Sequence, residues 1–445
     1  MNIVIFCIDR IQAGFLGPYG NTWVDTPGLN RLAAEGFLFE NCLSATSDSL
    51  RCFRSLVSGR HPALLSDEAD ERIRLHDGKA ILISDDREIL ESQAAQGFDE
   101  AYSLAPLALP SVAPADDWSE TPIGRLAAET ADILTQSPEP FTAYCRFDYL
   151  NHTWQAPKAI REHYLSEDDP SADCSTIPPR VRAEAEPLDP DLVFLHQVSY
   201  AAEITVLDRC IEGFLHVLDQ ARPNTVFVFT SARGYPLGEH GVVGPDERLY
   251  NETLHVPLLL RFPEKRYAGL RSPSLCYAHD LLPTLAKLVF PASDGDVASE
   301  TMDQDEPVSS CPLCGRPNLD DVVRRPFVEP PVRREALMAA EFTSEEGETW
   351  ALRTKHWFAR GLRPSGNEER PDFDEFSVDA PNAAGELYFK PDDYWEVNDV
   401  ADRCDEILAH ATHFVRSVLE RHASPAECGC DGSVPVPEAL TRPVD

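Results

Sequence analysis

Two runs of apolar residues constrain the fold of this chain more than any other feature. Residues 3–8 and 225–230 are uninterrupted and rich in β-branched and aromatic side chains, which is typical of strands buried on both faces. Between them, residues 26–36 and 199–218 place apolar side chains at helical spacing. Strands that alternate with such helices predict an α/β fold, with a mainly parallel sheet flanked by helices.

The first of these helices has a signal at each end. Thr26 precedes Pro27, and Gly36 follows the last apolar position. A Thr side chain often caps a helix N-terminus, Pro is favoured in the first turn, and Gly commonly ends a helix. The sequence therefore predicts a helix within residues 26–36 that is capped by Thr26.

Composition divides the rest of the chain. Residues 163–191, 292–332 and 363–384 are rich in Pro, Asp, Glu and Ser, and we expect them to be loops. Residues 336–342, 350–362 and 386–389 are strand-like, and a helix is expected from about residue 402 to 422. We therefore expect an α/β domain in residues 1–290, a variable loop segment in 291–332, and a small C-terminal α+β subdomain in 333–445.

The charge of the chain excludes two classes of partner. It contains 39 Lys+Arg and 75 Asp+Glu, a formal net charge of −36. Such a surface repels the phosphates of nucleic acids and the headgroups of anionic membranes. No apolar run approaches the roughly 20 residues of a membrane-spanning helix, and the first residues lack the basic stretch of an export signal. We expect a cytoplasmic protein with reduced thiols, and the sequence indicates no oligomeric state.

The strand ends indicate where a functional site would lie. In an open parallel sheet, ligands bind at the carboxyl ends of the strands. Asp9 and Arg10 follow the first apolar run, and Ala232 and Arg233 follow the second. We therefore expect these four residues to belong to one site.

A series of short motifs, in order along most of the chain, resembles the sulfatase family of the alkaline-phosphatase superfamily. The motifs are ID at 8–9, GPYG at 17–20, SLVSGRHP at 55–62, LISDD at 82–86, GFD at 97–99, NH at 151–152, FTSARG at 229–234, GEHG at 238–241 and LYNE at 249–252. The resemblance implies an alkaline-phosphatase-like sheet flanked by helices, with a small C-terminal subdomain.

The resemblance also implies a hydrolase of sulfate esters. Its active members hold a divalent cation, usually calcium, with three aspartates and an Asn or His. Their nucleophile is a formylglycine at a helix N-terminus, made from Cys or Ser in a motif with Pro two residues later and Arg four residues later. The metal ion and the helix dipole both stabilise a developing anion.

The nucleophile motif of the family is altered in this chain. A gapless count back from residues 58–60 places Ser49 at the nucleophile position. Arg51 and Phe53 stand where the motif has Pro and Arg. We therefore do not expect Ser49 to be converted to formylglycine.

The metal ligands are altered as well. Asp9 remains as a vestigial calcium ligand, but Arg10 replaces the second aspartate, while Ala232 and Arg233 replace the later Asp and its Asn or His neighbour. A lysine expected shortly before residue 249 is absent. Three carboxylates with a divalent ion carry a charge of −1, whereas Asp9, Arg10 and Arg233 carry +1. Because the two arginines repel a cation, we expect no metal ion and no cofactor at this site.

The same residues favour an anion. A helix N-terminus near residues 47–49, flanked by Arg10, Arg51 and Arg233, offers N–H donors to a small sulfate, phosphate or carboxylate ligand. Our first hypothesis is a non-catalytic, anion-binding pseudo-sulfatase. Three alternatives remain open: a hydrolase in which unmodified Ser49 attacks with His152 as base, or in which Cys52 attacks; a regulatory or scaffolding protein; and a closed cluster of structural ion pairs.

The cysteines suggest a separate structural site. Cys311 and Cys314 form a CPLCG motif typical of a zinc knuckle, and Cys428 and Cys430 are candidates for the other two ligands. These four residues would make a structural Cys₄ zinc site. Free thiols or a disulfide are the alternatives.

Overall fold

The computed structural model of the chain describes residues 1–65, 72–104, 113–170, 176–182, 187–289, 335–343, 347–363, 385–421 and 435–443. Its strands are β1 Asn2–Ile8, β2 Phe37–Leu43, β3 Lys79–Ser84, β4 Glu100–Ser103, β5 Phe141–Phe147, β6 Val181–Arg182, β7 Thr225–Ser231, β8 Val242–Val243, β9 Leu258–Arg261, β10 Leu270–Tyr277, β11 Ala336–Thr343, β12 Gly347–Thr354, β13 Trp357–Arg363 and β14 Gly385–Phe389. Its helices are α1 Pro27–Glu35, α2 Ser49–Ser58, α3 Arg87–Glu91, α4 Pro122–Gln136, α5 Lys158–Glu162, α6 Pro190–Ala221, α7 Asn251–Leu254, α8 Leu281–Val289, α9 Asp405–Arg421 and α10 Glu438–Thr441.

The main sheet has eight strands in the order β10-β2-β9-β7-β1-β5-β3-β4. Neighbouring strands run parallel except where β9 pairs with β2 and β7. Strands β1 and β7, which correspond to the two apolar runs, are adjacent and buried along their whole length. The prediction of a mainly parallel sheet is therefore confirmed.

Helices cover both faces of this sheet. Val4, Phe6 and Ile8 of β1 pack in one core with α1, α4 and α6. Ile3 and Ile5 point to the opposite face, where α2, α3 and α8 pack. Each fully buried side chain of this size contributes about 1.5–3 kcal/mol, so this central strand is held from both sides.

The N-terminus of α1 corrects one prediction. Thr26 does not cap the helix, because its hydroxyl accepts a hydrogen bond from the Gly17 N–H at 2.9 Å. The carboxylate of Asp208, on α6, accepts instead from the N–H groups of Gly28 and Leu29 at 2.8 and 2.7 Å. The cap is tertiary, and a local sequence pattern cannot show it.

The C-terminal part forms a second, antiparallel sheet in the order β11-β12-β13-β14. Helix α9 packs against it. The strand-like stretch 350–362 consists of two strands, β12 and β13, which meet at residues 355 and 356. The predicted helix starts at Asp405 rather than at 402. A C-terminal α+β subdomain on a mainly parallel sheet agrees with the predicted fold class.

Some predictions concern segments with little or no described structure. Within the expected loop 163–191, strand β6 pairs with β8 and helix α6 begins at Pro190. Cys311, Cys314, Cys428 and Cys430 lie outside the described residues, as does the whole of segment 291–332. Among the described residues, no helix is long and apolar enough to cross a membrane.

Candidate anion-binding site

The carboxyl ends of three adjacent strands meet beside the N-terminus of α2. Asp9 and Arg10 follow β1, Arg233 follows β7, and Arg146 lies near the end of β5. Helix α2 begins at Ser49 and is capped by Asp48, whose carboxylate accepts from the Arg51 N–H at 2.7 Å. Because parallel strands end at one edge, residues far apart in sequence come together there.

Asp9 is completely buried, and protein donors bind both of its carboxylate oxygens. Arg233 Nε lies 3.2 Å from Oδ1, and Arg233 Nη2 lies 3.1 Å from Oδ2. Asn151 Nδ2 donates to Oδ2 at 2.9 Å, and Arg146 Nη2 lies 3.4 Å from the same oxygen. The carboxylate is therefore enclosed by guanidinium and amide groups.

The electrostatics of Asp9 follow from these neighbours. Burial alone would raise its pKa, but the charges of Arg233, Arg146 and Arg10 outweigh burial and hold the pKa of Asp9 well below its usual range. Asp9 in turn raises the pKa of the Arg146 guanidinium, against the effect of burial. Asp9 is ionised at any pH at which the protein would be studied.

The residues present do not fit the divalent cation that the resemblance implies. Besides binding Asp9, Arg233 donates through Nη1 to the Ser47 carbonyl, so its guanidinium bridges β1 and the segment before α2. Calcium needs six to eight oxygen ligands. Here the one retained carboxylate is already bound, and Arg233 and Arg146 would repel a cation.

Arg10 differs from the other two arginines, because it is buried without a carboxylate partner. It is 4% exposed, and its Nη1 donates to the Asp246 carbonyl at 3.3 Å. Its Nε has no hydrogen-bond partner, and Arg10 forms no ion pair with a carboxylate of the described residues. Burial, followed by the charge of Arg233, lowers the pKa of Arg10 to about 10.

The backbone of Arg10 is also unusual. Its backbone φ is 67°, which lies in the left-handed region that residues other than Gly, Asn and Asp rarely adopt. Such a conformation costs about 1–3 kcal/mol and persists only where the surrounding structure imposes it. A strained residue with a buried, unpaired cation is typical of a functional site.

Ser49 and Cys52 lie on the same helix beside the arginines. Ser49 Oγ accepts a hydrogen bond from Arg146 Nη2 at 2.5 Å. Cys52 Sγ lies 3.2 Å from Ser44 Oγ and 3.3 Å from the Ala232 carbonyl. The hydrogen-bond partner of the Ser49 hydroxyl is thus a cation, Arg146, rather than a base.

An acidic group adjoins this cluster. Asp85 Oδ1 accepts from the Asp148 N–H at 2.8 Å, and Asn151 Nδ2 donates to Asp148 Oδ1 at 2.5 Å. His152 Nε2 lies 3.9 Å from both carboxylates. Burial, reinforced by the charge of Asp9, raises the pKa of Asp148 to about 7, and burial raises the pKa of Asp85.

The structure brings some of the predicted residues together. Asp9, Arg233 and Ser49 are linked through direct contacts or through Arg146, and Arg10 acts electrostatically on Asp9. His152 contacts the acidic group rather than Ser49. Arg51 contacts this region through its backbone N–H, which donates to the Asp48 carboxylate.

Sequence reasoning missed Arg146, Asn151 and Asp148 as site residues. Arg146 had a usable signal, since it is a charged residue inside the otherwise uncharged strand FTAYCRF. A buried strand tolerates a guanidinium only if it is paired. Asp148 precedes, and Asn151 ends, a short 3-10 helix that follows β5. The NH motif at 151–152 was a signal for Asn151, but only the fold shows that this turn reaches Asp9.

Comparison with known proteins identifies a family model and related sequences. A family model described as Sulfatase matches residues 1–290. The chain is 24% identical over 177 residues to the uncharacterized sulfatase YidJ of Escherichia coli (strain K12), covering 37% of this chain and 35% of that protein. It is 23% identical over 381 residues to the iduronate 2-sulfatase of Mus musculus, covering 68% and 64%. The match covers about a third of the length of YidJ and just under two thirds of the length of the iduronate 2-sulfatase.

Solved structures match over nearly the whole chain. The phosphonate monoester hydrolase of Agrobacterium radiobacter superposes with a TM-score of 0.67 at 16% identity, covering 95% of this chain and 96% of that one. A sulfatase described as putative, yidJ from Bacteroides fragilis, gives 0.66 at 18% identity, with 95% and 96% covered. At these identities the likeness shows the fold, which confirms the alkaline-phosphatase-like architecture.

Proposed function

Since the chain belongs to the sulfatase family, we propose that it binds a small oxyanion at this sheet edge without calcium and without formylglycine. The ligand is the sulfate, phosphate or carboxylate group of a small molecule. In this proposal the protein is a non-catalytic pseudo-sulfatase.

The state of Arg10 is the observation that carries the proposal. A buried cation without a partner is strongly unfavourable, by several kcal/mol, because its desolvation is not offset. Arg10 is buried, its Nε is unpartnered, and its backbone is strained. An oxyanion would supply a direct ion-pair partner for Arg10 and an acceptor for its Nε, besides the Asp246 carbonyl that Nη1 already binds.

The charge of the whole cluster supports an anion too. Three guanidinium groups, those of Arg10, Arg146 and Arg233, face one strongly ionised carboxylate, that of Asp9. Burial raises the pKa of Asp148 to about 7, so this neighbouring carboxyl is only partly ionised near neutral pH. A bound anion would therefore offset an excess of positive charge.

Hydrolysis by Ser49 is the second candidate. Its support is that Ser49 starts α2 beside Arg146, and that Asp148 has a pKa near the value suited to acid–base catalysis. Against it, a guanidinium has no acceptor and cannot take the serine proton. Binding without turnover therefore agrees better with these contacts.

Calorimetric titration of the full chain with sodium sulfate and sodium phosphate tests the binding. We expect saturable binding that weakens at least tenfold in Arg10→Asn, a variant whose side chain suits the left-handed backbone. Arg74→Gln, which removes an exposed arginine paired with Asp99, is the matched control and should bind as the wild type does. If neither sulfate nor phosphate binds to the wild type, the proposal is contradicted.

Turnover is tested separately with aryl sulfates and with phosphate mono- and diesters. We expect no hydrolysis by the wild type above that of Ser49→Ala and Cys52→Ala. Turnover that disappears in either variant would establish the hydrolytic candidate instead.

A further inference from the structure

A small cavity lies between α2 and the carboxyl ends of β1, β5 and β7. Its volume is about 20 Å³, and its lining includes Cys7, Arg146 and Thr230 from the strands, with Cys52 and Ser55 from α2. A cavity of this size holds roughly one water-sized occupant. Its lining does not include Arg10 or Arg233, so it is distinct from the site proposed at Arg10.

Two polar atoms of the lining residues have no partner. Ser55 Oγ and Arg146 Nε are both shielded from solvent and make no hydrogen bond with the described residues. Ser55 is 3% exposed and Arg146 is 1% exposed. Buried polar atoms in folded proteins are nearly always satisfied, so an unsatisfied pair around one cavity indicates an occupant.

The donor character of these atoms decides which occupant fits. Arg146 Nε–H can only donate, and the Ser55 hydroxyl is free to donate. A water molecule that accepted both hydrogen bonds would bring two O–H groups that themselves need acceptors. A halide ion accepts hydrogen bonds and donates none, so it satisfies both atoms and adds no new donor.

Charge and surroundings favour a halide as well. The Nη2 group of Arg146 faces Asp9, which Arg233 and Asn151 also bind, so this one carboxylate is shared among several donors. A monovalent anion behind Arg146 would offset the remaining positive charge. The rest of the lining mixes apolar side chains, among them Leu43, Phe53 and Leu56, with the polar residues Ser44, Thr46, Thr230, Ser231 and His279. None of these residues carries a carboxylate that would repel an anion.

We propose that a single halide ion, chloride at ordinary ionic strength, binds in this cavity between Ser55 Oγ and Arg146 Nε. The ion binds Arg146 through Nε, while Asp9 and Ser49 contact its Nη2. Arg10 does not line this cavity, but the cavity shares Arg146 with the cluster at which the oxyanion is proposed.

Crystals of the full chain grown or soaked in sodium bromide give the direct test. We expect an anomalous bromide peak in the cavity, within hydrogen-bonding distance of both atoms. A cavity that holds a water molecule and no anomalous peak would overturn the proposal.

Thermal unfolding at constant ionic strength gives a test in solution. Every sample contains saturating sodium sulfate, so that gluconate, a carboxylate, cannot act at the proposed oxyanion site. We expect sodium chloride and sodium bromide to raise the melting temperature by about 2 °C or more relative to sodium gluconate. Ser55→Ala should lose most of this halide-specific shift, and Arg10→Asn should retain it. An equal shift in wild type and Ser55→Ala, or its loss in Arg10→Asn, would overturn the proposal.

Ser58→Ala is the matched control for Ser55→Ala. Ser58 is a buried serine on the same helix, but its hydroxyl already donates to the Arg54 carbonyl at 2.7 Å. Its removal should leave the halide shift intact. If Ser55→Ala does not fold, the bromide peak in the wild type still decides the question.

Discussion

Arg233 supplies Asp9 with a positive charge that is part of the chain. Its Nε and Nη2 groups donate to the carboxylate, and Nη1 donates to the Ser47 carbonyl, so its acceptors lie on two different segments. Arg146 provides a second contact from β5. At the scale of single residues, the site is therefore held by a buried ion-pair network centred on Asp9.

Loss of the Arg233 guanidinium should destabilise the fold. We expect Arg233→Gln to lower the free energy of unfolding by about 3 kcal/mol, the lower end of the range for breaking a buried ion pair. The lower end applies because Arg146 and Asn151 still contact Asp9. Urea unfolding at neutral pH measures the change, with Arg87→Gln, from an exposed pair, as control. A change under 0.5 kcal/mol, on the order of a surface substitution, would contradict the prediction.

Asp148 should make the folded protein less stable as the pH rises, because its pKa is raised in the folded state, whereas that of Asp9 is lowered. The pKa of Asp148 is about 7 in the folded protein and about 3.9 when unfolded, so between these values the folded state binds the extra proton. Stability therefore falls as pH rises from about 4 to 7, and then stays level.

Asp148→Asn removes this titration while keeping the shape of the side chain. We expect its melting temperature to exceed that of the wild type at pH 8 and the difference to shrink toward pH 4. Thermal unfolding of both proteins across this range is the measurement. A difference that grows as the pH falls would show that the sign is wrong.

Helix α1 depends on a residue of another helix. Asp208 of α6 accepts from two N–H groups in the first turn of α1, while Thr26 binds the Gly17 N–H instead. At the scale of elements, the contact fixes the start of one helix against the middle of a second. It also places a carboxylate near the positive end of the α1 dipole.

Removal of this cap should cost more than removal of the threonine hydroxyl. We expect Asp208→Ala to lower the free energy of unfolding by about 1–2 kcal/mol, as for loss of an N-cap. Thr26→Val should cost less, because it leaves both capping hydrogen bonds in place. Urea unfolding compares the two variants, and the reverse order would show that Thr26 is the residue that matters.

The sequence predicted the features of the fold that have a local signal, and it did not show contacts between residues that are far apart in the chain. The apolar runs of β1 and β7 required strands buried on both faces, and Asp9, Arg10 and Arg233 follow from where these strands end. Arg146 was missed because it lies inside a strand rather than after one. Asp208 was missed as a cap because 180 residues separate it from Gly28, and no periodicity connects them.

The two sheets are joined by specific hydrogen bonds. Tyr277, at the end of β10, donates to the Met338 carbonyl of β11 at 2.9 Å and accepts from its N–H at 2.5 Å. Tyr250 donates to Glu386 of β14 at 2.9 Å. At the scale of the whole molecule, the C-terminal sheet packs on the same edge of the main sheet that carries the arginine cluster.

Calcium should not stabilise the whole molecule through Asp9. We expect the melting temperature in calcium chloride to match that in EDTA, apart from a small effect of cations on a chain with a net charge of −36. Asp9→Asn should show the same small effect, which makes it the control. A saturable calcium stabilisation that is present in the wild type and absent in Asp9→Asn would contradict the proposed function.

The bridge that Arg233 makes between Asp9 and Ser47 has one more consequence. A metal ion can be removed by a chelator or be scarce at the time of folding, and a formylglycine nucleophile forms only after a further reaction of the side chain. A guanidinium encoded in the chain is present as soon as translation ends. Under the proposed function, a site built around it would be ready when the fold is complete, and neither metal supply nor maturation would limit how many copies can bind the anion.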